Sequence, residues 1–233
     1  MAAKVREMEE PATLQELRRQ LAPAIADAAV FDGWTDKAVT EAARLAGVDP
    51  ELARFAFRAD SAHSAQMAMI EAWIGHVDAE MARTTPASSL SGLPIRERIR
   101  RLVMARLDAV AGREEALSRA LAIMALPRNV IAATRLGWRS ADAMWRLAGD
   151  TATDYNHYTK RATLGAIYAA TLKVFASDTS EDATGPKADT RAFLDRRIEG
   201  IMRFEKTKAQ LFRPSEERIS LVRLMGRLRY PAR

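Results

Sequence analysis

A chain of 233 residues with 48% hydrophobic content can bury a real core, either as one large domain or as two small ones. It holds no cysteine, which excludes disulfides, thiolate zinc sites and cysteine nucleophiles. The net charge of +6 suits nucleic acid or an anionic lipid surface, but charged residues interrupt every apolar stretch before the roughly 18 residues that suggest a membrane span, so any membrane contact is expected to be peripheral.

The opening MAAKVREMEEPATLQELRRQ alternates charges, lacks the apolar stretch of a signal peptide and is too acidic for a transit peptide; a bacterial cytosolic protein is expected. From there Ala, Leu, Arg, Glu and Met recur at spacings of three and four, with no sustained period-two alternation, and an all-α protein is predicted. Breaks at FDGWTD (31–36), AGVDP (46–50), FRADS (57–61), TTPASSLSGLP (84–94), AGR (111–113), LPRN (126–129), AGDTAT (148–153), ASDTSEDATGPKAD (176–189) and FRPSE (212–216) leave about ten helices. In the second helix Ala38, Ala42, Leu45 and Ala46 are expected to face inward; Gly47 and Val48 make a tight turn, Asp49 caps the third helix and Pro50 opens it. This helix-turn-helix pattern resembles the N-terminal domain of TetR-type regulators. A DNA reader needs Arg, Lys, Asn or Gln aimed at base edges, and DPELARFAFR offers only Arg54 and Arg58 against Asp49 and Glu51. The unit is therefore expected to be kept as structure, with no nucleic-acid partner.

The chemistry-bearing residues are sparse. A dinuclear metal site in a helical bundle needs inward Glu and Glu-x-x-His pairs, and His63, His76 and His157 each lack a Glu three residues before. His76 and Glu80 sit one turn apart, which is too few ligands, so no metal site is expected. No Ser-His-Asp arrangement, P-loop or dinucleotide glycine pattern is present, and an enzyme is the least supported class. In GDTATDYNHYTKRATLGAIYAATLKVFASDTSED, Thr151 and Asp154 make a capping-box-like start, and Leu164, Ile167, Tyr168, Thr171 and Phe175 form one buried stripe. His157 falls on that stripe, whereas Tyr158 lies ~100° away beside Arg161 and Leu172, so part of this cluster is expected to face outward. In SEERISLVRLMGRLRY, Leu221, Val222, Leu224, Met225 and Leu228 oppose Ser220, Arg223 and Arg227, the pattern of a basic amphipathic helix.

The blocks DYNHYTKRATLGAIYAATLKVFASDTSED and TRAFLDRRIEGIMRFEK, with FDGWTDKAVTEAARLAGVDPELARFAF near the start, resemble the coenzyme Q biosynthesis protein nine family over most of the chain. The resemblance implies a TetR-like all-α fold that has given up DNA binding. It implies a non-catalytic accessory protein that binds isoprenoid lipid, associates peripherally with membrane and assists the di-iron demethoxyubiquinone hydroxylase. His157 and Arg191 stand where eukaryotic members usually carry Trp, which leaves this patch better suited to partner docking than to insertion into lipid.

Under that resemblance the chain divides into a helix-turn-helix-like unit at 1–59, a lipid-binding helical domain at 60–211 and the basic helix at 212–233. Candidate lining for a prenyl or acyl tail is Met67, Ile70, Trp73, Ile74, Met104, Leu107, Ile123, Met124, Trp145, Leu164, Ile167 and Phe193. His157, Tyr158, Lys160 and Arg161 form the expected docking face for the hydroxylase. Leu221, Arg223, Leu224, Arg227 and Leu228 form the expected membrane contact. Bound lipid is the sole cofactor-like group expected, and the protein is expected to be a homodimer in the bacterial cytoplasm, peripheral to the inner membrane. The rival reading is a ligand-responsive repressor, separated from this one by the donor content of the third helix.

Overall fold

Thr13 is extended and its hydroxyl accepts from the Glu16 N–H at 3.2 Å, which starts α1 (Leu14–Asp32). This computed structural model describes residues 13–59, 64–151 and 155–211. Leu17, Leu21, Ile25 and Ala29 recur every fourth residue of α1 and are buried; Gly33, at φ 70°, ends the helix in the left-handed region. The tight turn predicted at Gly47 separates α2 (Asp36–Leu45) from α3 (Pro50–Ala56), and Asp49 caps α3 through the Glu51 N–H at 2.9 Å. The inner face of α2 differs from expectation. Its buried stripe is Ala38, Val39, Ala42 and Ala43, while Leu45, the helix's last residue, projects past its partners and is exposed, and Ala46 is half-buried.

The remaining helices are α4 (Ala65–Thr84), α5 (Ile95–Val110), α6 (Glu114–Met124), α7 (Val130–Leu147), α8 (Tyr155–Ser177) and α9 (Ala188–Leu211), nine α-helices among the described residues. The expected break at 84–94 holds a short 3-10 turn, Ala87–Leu90. Helix α1 packs on α2 and α3 and also on α4 and α6. Trp34 fastens that contact: it is buried, its indole N–H donates to the Ala116 carbonyl at 3.0 Å, and its ring lies 5.3 Å from that of Trp73. The helix-turn-helix unit is thus continuous with the helices that follow, and the first compact unit runs to Asp195 with no division near 59. A second unit begins at Arg196, within α9.

The expected break at 176–189 contains a small antiparallel hairpin, β1 (Glu181–Asp182) with β2 (Gly185–Pro186), pairing Glu181 with Pro186 and Asp182 with Gly185. Asp178 ties its two ends together, accepting from the Ser180 N–H at 2.8 Å and hydroxyl at 2.5 Å, and from the Thr190 N–H at 2.8 Å and hydroxyl at 2.6 Å. Burial opposes ionisation of Asp178, but these donors outweigh it and hold the carboxyl well below the usual range.

Candidate functional site

Helix α8 carries the predicted stripe: Leu164, Ile167, Tyr168, Thr171 and Phe175 are all buried. It packs on α5, α6 and α7, so it is covered on more than one side. Between these helices and α4 lies a cavity of about 660 Å³, inside the size range of small-molecule sites. Small residues make the room. Ala133 and Gly137 on α7 and Ala162, Gly165, Ala166 and Ala169 on α8 all line it, where larger side chains would fill the space. A Cβ at Gly165 would stand 3.8 Å from the Gly137 carbonyl oxygen, so the two helices approach closely at this point.

Exposure grades the lining. Val130, Thr134, Ala162 and Ala166 are exposed, whereas Trp73, Val77, Leu117 and Leu136 are buried. Four polar side chains of the lining are buried: Arg106, Ser140, Arg161 and Tyr168. Arg106 is 1% exposed; it pairs with Asp78, donates to the Ser140 hydroxyl at 3.1 Å and sets its guanidinium 4.7 Å from the Tyr168 ring centre. Burial disfavours the Arg106 charge, and Tyr168 and Asp78 outweigh that effect, so its affinity for the proton is raised.

Of the twelve expected lining residues, Ile70, Trp73, Ile74 and Met124 line this cavity. Met67, Leu107, Leu164 and Ile167 are buried core positions outside it, and Met104, Ile123, Trp145 and Phe193 are half-buried elsewhere. Trp145 is turned to the α8 backbone, its indole N–H donating to the Lys160 carbonyl at 3.0 Å. The sequence reading missed Arg106, although a signal was present. It stands one turn from Leu102, Val103 and Val110, inside the apolar stripe of α5, where an arginine needs a reason.

The expected docking face is brought together only in part. Tyr158 points outward at 61% exposure, its ring 5.1 Å from His157 and 6.0 Å from Trp138, which lines the cavity. Lys160 is half-buried and binds Asp150 at 2.7 Å. Arg161 departs from expectation: it is 2% exposed and faces inward, held by Asp142 at 2.5 Å, Asp150 at 3.1 Å and the His157 carbonyl at 3.1 Å. The reason is that α7 covers the side of α8 that the helical wheel leaves off the stripe. Burial of Asp150 opposes its charge, but hydrogen bonds from Lys160 and Arg161 prevail and hold the carboxyl below its ordinary value. Asp154 and the basic segment with Leu221, Arg223, Leu224, Arg227 and Leu228 lie outside the described residues.

On α3, the position of a DNA-reading helix, Leu52 and Phe55 are exposed, and Arg54 is paired with Glu51 one turn away. No group of His, Asp or Glu among the described residues could hold a metal ion. No single helix among them is long and apolar enough to cross a membrane.

This is an all-α protein of the TetR-regulator architecture. It superposes on a TetR transcriptional regulator from Nitrosomonas europaea ATCC 19718 with a TM-score of 0.59 over 79% of this chain and 97% of that one, at 22% identity. Within that architecture the COQ9 family model matches residues 130–205, the region of α7, α8 and most of α9. The chain is 32% identical over 181 residues to the mitochondrial ubiquinone biosynthesis protein COQ9 of Rattus norvegicus, covering 77% of this chain and 56% of that protein. To the Homo sapiens protein of the same name it is 29% identical over 204 residues, covering 84% and 61%. The chain thus spans little more than half the length of these curated relatives.

Proposed function

We propose that this protein is a non-catalytic, lipid-binding accessory protein of ubiquinone biosynthesis that holds an isoprenoid or acyl lipid in the α4–α8 cavity. The observation that carries the reading is the cavity itself: about 660 Å³, walled by apolar and small side chains, and formed largely by the α7–α8 region that the COQ9 family match covers. An elongated apolar tail gains about 25 cal/mol for each Å² it removes from water, and this lining offers little else to bind. The partner in this reading is the di-iron demethoxyubiquinone hydroxylase, docked at the outward Tyr158 beside the cavity rim, with the protein acting as a homodimer. Localisation follows the same reading: peripheral to the bacterial inner membrane, on its cytoplasmic side.

Solvent extraction and mass spectrometry of purified protein test the proposal, with isoprenoid or acyl lipid expected near one per chain; an extract without lipid defeats it. Segment 215–233 is assigned the membrane contact from its sequence alone. Each basic residue near an anionic surface contributes about 1 kcal/mol, so reversing Arg223 and Arg227 weakens vesicle binding by about 2 kcal/mol. A repressor would share fold and cavity, but it needs donors on α3, where this chain presents Leu52 and Phe55 and ties Arg54 to Glu51.

A further inference from the structure

Between α6 and α7 the chain turns a sharp corner, held by buried Asn129, whose side-chain amide donates to the Ile123 carbonyl at 2.8 Å. Together Glu114–Met124 and Pro127–Leu147 reach the apolar content of a membrane span, but they are bent by 88° at the break and cannot cross a bilayer as one rod. The inner faces of both helices belong to the core, where Leu117, Ala120, Leu136 and Met144 are buried. The corner itself does not. Val130 is 48% exposed and Ile131 70% exposed, and Ala122, Ala125 and Pro127 also lie on the surface. Two adjacent branched aliphatics left in water, beside an apolar cavity that Met124, Ala125 and Val130 line, mark a contact surface.

The charges around the corner select what covers it. The chain holds 30 acidic residues, yet none falls from Ala116 to Ala141 and none in α8 from Tyr155 to Ser177. Arg128 and Arg135 are exposed and enter no ion pair among the described residues, unlike Arg139, which binds Glu71 at 2.9 Å. Arg135 follows Ile131 by one turn on the same face of α7. Helices α7 and α8 run antiparallel, with Asp142 at Arg161 and Gly137 at Gly165; continuing that register brings Val130 beside Leu172 and the exposed Lys173. A bilayer accommodates both features at once, because aliphatic side chains sink below the head groups while long cationic ones reach back to the phosphates. We propose that the α6–α7 corner inserts into an anionic bilayer, Val130 and Ile131 entering the acyl boundary while Arg128, Arg135 and Lys173 meet lipid phosphates. This contact is separate from the one assigned to 215–233 and does not require a lipid in the cavity. It sets the cavity wall at Met124, Ala125 and Val130 against the membrane surface.

The chain has no cysteine, so Ile131→Cys in the full chain can carry a single environment-sensitive nitrobenzoxadiazole label. On phosphatidylcholine vesicles containing about 30% phosphatidylglycerol, its emission should shift to the blue and be quenched by lipids brominated in the acyl chain. The same label at Phe55→Cys, an exposed apolar site on α3, should stay in water. In unlabelled protein, Arg128→Gln with Arg135→Gln should weaken vesicle binding about thirtyfold, and Ile131→Ser about fivefold. None of these three residues lines the cavity, so a change in its contents is not the cause. An unshifted label at 131, equal shifts at 131 and 55, or equal binding to vesicles of phosphatidylcholine alone overturns the proposal. Shielding of the 131 label by the purified hydroxylase but not by vesicles overturns it in favour of a protein partner. Should labelling at 131 disturb the fold, a label at Pro127→Cys, exposed in the same corner, gives the same decision. Lipid extraction is read independently: a shielded label with an empty extract leaves this contact standing and defeats the lipid-binding reading.

Discussion

Replacing Arg161 by Met should destabilise the protein far more than any change at its neighbour Tyr158. The arginine is 2% exposed and bonds two carboxylates, Asp142 at 2.5 Å and Asp150 at 3.1 Å, together with the His157 carbonyl at 3.1 Å. Removing one member of a buried ion pair leaves uncompensated charge and costs about 3–5 kcal/mol. Here each carboxylate keeps a second cation, Asp150 with Lys160 at 2.7 Å and Asp142 with Arg146 at 2.8 Å, which sets the expectation at the lower end, about 3 kcal/mol. For a chain of this size, that corresponds to a fall in Tm of ~6–12 °C. Thermal melts followed by circular dichroism, with urea titration as a check, measure it. A variant within about 1 kcal/mol of the native protein would refute the reasoning, since that is the range of an exposed ion pair.

Tyr158→Ala should leave the melt unchanged and, on the docking proposal, weaken capture of the hydroxylase by at least about 1 kcal/mol; calorimetry with the two purified proteins measures this. The native protein should lose stability as pH falls below about 4, because carboxylates with lowered folded-state affinity for protons stabilise only above their unfolded values. Asp178→Asn should be less stable at neutral pH with a shallower acid decline, checked by urea titration at pH 7 and pH 3.5, and an unaltered acid slope would remove Asp178 from this account. Ala166→Phe, at an exposed position on the cavity wall, should keep the native melt but lower co-purified lipid several-fold, measured by mass spectrometry.

The fold was legible in the sequence where one periodicity met one neighbour. Helix α1 shows its core stripe at every fourth residue, and the α2–α3 turn announces itself through Gly47, Asp49 and Pro50. Helix α8 was only half legible. Its main stripe through Leu164, Tyr168 and Phe175 follows from spacing, but α5, α6 and α7 surround it, so a residue off that stripe is not thereby on the surface. Arg161 is the consequence: a wheel places it away from the core, and the Asp142–Asp150 pair that draws it inward comes from the end of α7 and the turn beyond. The cavity was less legible still. Of the methionines and leucines nominated from the sequence, Met124 reaches the cavity, whereas Met67, Met104, Leu107 and Leu164 lie outside it, and the leucines that do line it are Leu117, Leu121, Leu136 and Leu172. The room comes from Gly137, Gly165 and Ala166, which in sequence read only as helix composition.

That difference bears on how this architecture can carry more than one function. In this chain α3 packs on α1 and α2, and its buried residues are Ala53 and Ala56. Its outer face can then change without unfolding anything, and in this chain that face carries Leu52 and Phe55, at 58% exposure for the latter. The cavity has no such freedom, because its walls are also the core. Ile70 and Trp73 line it while packing α4, and the Trp34–Trp73 contact passes that packing on to the helix-turn-helix unit. On the reading proposed here, reading of DNA could be given up at the surface with little penalty. On the same proposal, a tail held in the cavity would contribute to the packing of α4 through α8, so ligand and fold would stabilise one another.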